Sequence, residues 1–182
     1  NSIDKKQYEK KLTHYAENFL YNIIRRPGPF LQCCLFHKKF LLQCLECFDP
    51  QSEPSEDWDF FISISKYNPT IKNINENLFQ WNLSLKSQSA NYKNETLAIE
   101  YIINKHYKYI LKKSSINNLS FLFRKLACMF FHIKSFNKAD YYFKKSITIN
   151  PFSLKSVFLQ AFFFLPQFVR IKILFLILKK LV

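Results

Sequence analysis

The stretch PSEDWDFFISISKY, residues 54–67, decides how the chain is read. Three acidic residues, Glu56, Asp57 and Asp59, crowd around Trp58 at the head of an apolar run. One reading is a helix start. Ser55 is placed to cap a helix beginning at Glu56, and Trp58, Phe61, Ile62 and Ser65 would then share its inner side. The other reading is a carboxylate held ready for chemistry, because an acidic residue in the first turn of a helix is stabilised as the anion. Residue spacing alone leaves both open.

The acidic cluster stands out because the 182-residue chain carries a formal net charge of +14. That charge is segregated. Residues 1–104 are balanced, whereas residues 105–182 hold a single acid, Asp140, and carry the whole excess. The basic half is expected to be drawn to anionic surfaces. Hydrophobic residues make up 48% of the chain, including 21 Phe and 10 Tyr, so a buried core is expected in one ordinary domain or two small ones. Gly28 is the only glycine, which excludes a glycine-rich phosphate loop or dinucleotide fingerprint. The odd number of cysteines (Cys33, Cys34, Cys44, Cys47 and Cys128) predicts reduced thiols and a cytoplasmic setting. Cys44 and Cys47 form the one pair with metal-like spacing, and no second regular pair follows it. The apolar stretches at 157–169 and 173–178 are too short to span a bilayer, and the first contains Pro166.

Outward from the acidic cluster, FLQCCLF (30–36) and LFQWNL (78–83) read as strands from their length and apolar content. Residues 37–48 place Phe40, Leu41, Cys44, Leu45 and Phe48 on one helical face. Residues 95–112 are periodic through Leu97, Tyr101, Ile102, Lys105 and Tyr109. From about residue 116 the pattern is wholly helical. Phe123, Leu126, Ala127 and Phe130 make one face, and Ala139, Phe143 and Ile147 make another after a break near Ser135. The span Ser120 to Ser153 resembles a single tetratricopeptide repeat, matching at Ala127, Phe136, Ala139, Phe143 and Pro151 and departing at Phe123 and Ser146. One repeat cannot bury its face alone, so residues 154–182 or the preceding domain must cover it. In the tail, Ile171, Leu174, Leu178 and Leu181 would line one side of a helix. That helix would either close the bundle or lie in a membrane interface with its lysines near anionic headgroups.

The segment Phe30 to Ser89 resembles the second half of the catalytic domain of family 2 glycosyltransferases, which have the GT-A fold. Its pieces occur in the family's order: a strand entering a helix and ending in Glu46-Cys47-Phe48-Asp49, the SEDWDFFISIS element, then NLFQWNLSLKSQS. The resemblance implies an inverting transfer of sugar from a nucleotide-sugar donor to a glycan or lipid-linked acceptor, as in polysaccharide biosynthesis. It makes Asp57 the base that takes the acceptor proton, with Glu56 beside it. It assigns donor or acceptor binding to Trp58, Trp81, Asn82, Ser87 and Ser89. A divalent metal, Mg²⁺ or Mn²⁺, would neutralise the departing diphosphate in a full-length enzyme, and this chain itself shows no metal ligands. The family's nucleotide-binding half is missing, so the resemblance implies a piece of a longer enzyme or a degenerate remnant.

The expected architecture is therefore mixed α/β over residues 1–114, a partial GT-A-like domain, followed by all-α helical hairpins over 115–182. The expected setting is cytoplasmic, at the inner face of a membrane. The alternative is a non-catalytic helical module that binds a protein partner. Nucleic acid is disfavoured, because the lysines of the basic half are as well explained by a bundle with a solvated face. The histidines, His14, His37, His106 and His132, are scattered and are expected at the surface or on helix flanks.

Overall fold

In the computed structural model, the described residues are 18–25, 28–29, 31–44, 48–74, 76 and 91–155, with 158, 165–166, 168–169 and 172–173 in the tail. Among the described residues six α-helices run in order: α1 (Phe19–Arg25), α2 (Lys38–Cys44), α3 (Glu56–Ser65), α4 (Tyr92–Lys113), α5 (Ile116–His132) and α6 (Phe136–Ile149). Two single 3₁₀ turns, Leu31–Cys33 and Pro50–Ser52, lie between the first three.

No strand occurs among the described residues. The mixed α/β expectation, the partial GT-A-like domain and the glycosyltransferase resemblance are thereby overturned, since a GT-A domain is built on a sheet. The expected strand at 30–36 is instead a 3₁₀ turn closed by a hydrogen bond from Cys34 N to Leu31 O (3.0 Å), followed by irregular chain. Leu31, Cys34 and Phe36 pack against the core while Leu35 is exposed. The expected strand at 78–83 lies outside the described residues.

The helix beginning at Glu56 is present. Its acidic first turn complements the helix dipole, and Asp57 Oδ1 accepts from Trp58 N at 2.7 Å. Ser55 occupies the N-cap position without a side-chain capping bond. The helix ends where Asn68 takes a left-handed conformation (φ 49°) ahead of Pro69, a residue that cannot continue it. Nearly the whole of α3, from Trp58 to Ser65, is buried. Gly28 explains its own identity: a Cβ there would meet Phe61 Cδ2 at 2.6 Å, so only glycine lets the chain pass that ring.

The long helix α4 starts at Asn91, whose side chain accepts from Asn94 N, and ends with Lys112 and Lys113 against the helix C-terminus. Its buried face is Ala98, Ile99, Ile102, Ile103, His106 and Ile110. The face read through Leu97 and Lys105 is therefore rotated from the true one: Leu97 is exposed, and Lys105 stands at the edge of the buried face, reaching Asp49 and Asp59. Ser114 and Ser115 turn the chain into α5, with Ser115 capping at Asn118 N.

Helices α5 and α6 form an extensively packed hairpin. Lys134, at φ 61°, makes the turn between them. Ala127 and Ala139 are fully buried and small enough to let the helices approach, while Phe123, Phe130, Tyr142 and Phe143 fill the contact. The rings of Phe130 and Tyr142 stack at 5.5 Å and 5°. Ser146 does not disturb this packing. Its hydroxyl donates to Phe143 O within its own helix, and its carbonyl accepts from Ser120 Oγ.

A single hydrophobic core runs from Ile23 and Ile24 of α1 through Trp58–Ile64 of α3 and the inner faces of α4 and α5 to Phe143 of α6. Arg25 ties α1 to α5. Its Nε donates to Asn118 Oδ1 at 2.8 Å, and its guanidinium lies 5.3 Å from the Phe121 ring centroid.

Candidate functional site

The acidic element of α3 divides between two environments. Glu56 and Asp57 are partly buried at the start of the helix. Burial pushes the Asp57 carboxyl above its usual range, against the Trp58 N–H that draws it down, and Glu56 adds to the rise. Glu56 Oε2 is buried without a hydrogen-bond partner among the described residues. Nearby Cys34 is held protonated, its thiol pushed up to about 11 by burial, by Cys33 and by Asp57. Cys34 is therefore not a poised thiolate beside Asp57.

Trp58 does not face an acceptor. It is 5% exposed, and its Nε1 donates to Ile23 O at 2.6 Å, which fastens α3 to α1. Trp81, Asn82, Ser87 and Ser89 lie outside the described residues. Among the described residues, no group of three His, Cys, Asp or Glu side chains is placed to hold a metal ion. Cys33, Cys34, Cys44 and Cys128 are not joined in disulfides, and Cys47 is not described.

The third acid, Asp59, makes the principal polar contact of the interior. It is 1% exposed, as is the side chain of His106 on α4, and Asp59 Oδ1 lies 2.7 Å from His106 Nε2. Lys105 Nζ donates to Asp59 Oδ2 and to Asp49 Oδ2, each at 2.8 Å. Tyr101 Oη donates to the same Asp49 oxygen at 2.8 Å. The network runs from the surface at Asp49 into the core at His106 and joins the loop before α3, α3 itself and α4. Burial pushes Asp59 up, but the bonds from His106 and Lys105 outweigh burial and hold it below the usual carboxylate range. The Lys105 bond comes first in drawing Asp49 down to about 2. Burial opposes the charge of Lys105, yet its two carboxylate partners raise it above the ordinary lysine value.

Sequence reading missed this network by placing His106 at the surface with the other three histidines. His37 and His132 are indeed exposed, and His14 is not described. The signal was present in the spacing. His106 lies four residues from both Ile102 and Ile110, inside the apolar stripe of α4, where a polar side chain needs a buried partner.

The pH dependence follows from these directions. Asp49 and Asp59 both give up their protons more readily folded than unfolded. Their contribution to stability is therefore complete above the unfolded carboxylate value of about 3.9 and is lost as pH falls toward the folded values. Asp57 contributes oppositely, favouring the fold below that value. With two lowered carboxyls against one raised, the helical signal should melt at progressively lower temperature as pH falls from about 4 to 2. A melting temperature that stays level over that interval would contradict the network's role.

The second feature is the outer surface of α4 and α6, which meet through side chains. Glu100 of α4 accepts from Lys138 Nζ (2.7 Å) and Tyr142 Oη (2.7 Å) of α6. Farther along, Lys145 of α6 lies 5.4 Å from the ring centroid of Tyr107 of α4. On these helices Leu97, Leu111 and Tyr141 are exposed at 43%, 44% and 56%, with Lys108, Lys112 and Lys144 also exposed. Apolar contact points thus alternate with positive charge along both helices.

No protein-family model, curated protein or solved structure matches the chain. The glycosyltransferase assignment consequently has no support in fold, in comparison or in the surroundings of Trp58. The transferase activity and the family 2 ancestry read from the sequence are withdrawn. No helix among the described residues is long and apolar enough to cross a membrane.

Proposed function

We propose that the chain is a non-catalytic helical module that binds a protein partner through the outer surface of α4 and α6. The observation that carries this reading is the combination on that surface of Leu97, Leu111 and Tyr141 with lysines, over a rigid base of stacked aromatic rings. Exposed apolar side chains spaced along neighbouring helices are the usual means of seating an amphipathic segment. The buried Asp59–His106 network fits the same reading as a support, since it fixes α4 against the front helices and leaves its outer face free to contact a partner. The four cysteines outside any disulfide among the described residues favour a cytoplasmic setting, where thiols stay reduced.

The test is magnetic-resonance mapping of the isotope-labelled chain against a mixed pool of short amphipathic peptides. Shifts should cluster at Leu97, Lys108, Leu111, Tyr141 and Lys144. Perturbations confined to α1–α3, or none at saturating peptide, would overturn the proposal.

A further inference from the structure

Resting on the protein-binding reading, we infer that the partner segment is acidic and that Lys145 receives one of its carboxylates. Lys145 is held among aromatic rings from three helices. Its Nζ lies 4.6 Å from the ring centroid of Phe123 on α5, 5.4 Å from Tyr107 on α4, and 5.7 and 5.9 Å from Tyr141 and Tyr142 on α6. Phe123 and Tyr142 are buried and stacked on each other, so the floor beneath the ammonium is fixed. Among the described residues no carboxylate lies within ion-pair distance of Lys145, because Glu100 is taken by Lys138 and Tyr142. A cation positioned this way gives an incoming carboxylate a charge-assisted hydrogen bond without first ordering a flexible side chain.

Charge decides among the occupants. The chain's own tail is excluded as a complementary one, since residues 151–182 contain five Lys or Arg and no acid. A second copy would bring another +14, and its Asp49 and Asp59 are already bound to Lys105 and His106. A nucleic acid would meet positive charge but would leave Leu97 and Leu111 without apolar contact, and no arginine stands on the outer faces of α4 and α6 to grip phosphate in two-point fashion. An acidic segment with interspersed apolar residues satisfies both the lysines and the apolar points.

The experiment measures binding of two fluorescent peptide pools to the full chain. One pool interleaves Asp and Glu with Leu and Phe, and the other replaces each acid with its amide. The acidic pool should bind more tightly, with affinity falling as salt rises. Lys145→Gln should weaken it about tenfold, and Lys145→Arg should restore most of the loss. Circular dichroism checks each fold. If Lys145→Gln does not fold, Lys108→Glu combined with Lys112→Glu, both at exposed positions, should weaken the acidic pool in the same way. Equal binding of both pools, unaffected by these variants, would overturn the acidic partner while leaving a protein-binding surface. Binding of single-stranded RNA or phosphatidylserine vesicles with neither pool retained would overturn both.

Discussion

Replacing Asp59 with Ala should destabilise the chain by about 3–5 kcal/mol, the usual consequence of breaking a buried, hydrogen-bonded charged network. The loss is large because the substitution does more than delete a contact. It leaves His106, fully enclosed between α3 and α4, without the carboxylate 2.7 Å from its Nε2, and it removes one of the two acceptors of Lys105. Urea denaturation of both proteins gives the difference. A His106→Leu variant in the Asp59→Leu background should recover much of the loss, since an apolar pair of similar volume avoids the desolvation of both groups. If Asp59→Ala lowers stability by less than about 1 kcal/mol, the pair behaves like a surface salt bridge and the network is not the junction described above.

Trp58→Ala should lower stability by about 3–5 kcal/mol through the cavity left between α1 and α3. Trp58→Phe separates the contributions. It keeps most of the ring volume but leaves Ile23 O without the indole donor at 2.6 Å, for an expected loss of about 1–3 kcal/mol. A side chain facing solvent or an acceptor sugar would give a loss within about 0.5 kcal/mol for either substitution. Equilibrium unfolding of the two variants therefore distinguishes a core tryptophan from a binding one.

Helical periodicity made most of the rear half legible. The break at Ser135, the small residues Ala127 and Ala139, and the faces through Phe123 and Phe143 are where spacing put them. The front half was misread for a physical reason. A short apolar run such as 30–36 has no period long enough to separate a strand from a packed turn, and the aromatic residues Phe36, Phe60 and Phe61 pair across irregular chain as readily as across a sheet. The run EDWDF gave a correct helix start and an incorrect chemistry, because identical residue types serve a dipole-stabilised first turn and a catalytic carboxylate. The role of Asp59 depends on a histidine 47 positions away, and no local pattern announces that pairing. The apolar stripe that encloses His106 was the one available clue.

The central structural claim is that the front helices and the α4–α6 unit surround one shared core. Its most direct test is chemical denaturation followed in parallel by Trp58 fluorescence, in a Trp81→Phe background, and by far-UV circular dichroism. The first signal reports the α1–α3 contact and the second reports mainly the longer helices α4, α5 and α6. The account predicts coincident transitions with one midpoint, as expected for a single cooperative unit. A fluorescence transition completed at lower denaturant, with the helical signal intact, would show that residues 19–65 fold apart from the rest and would contradict it.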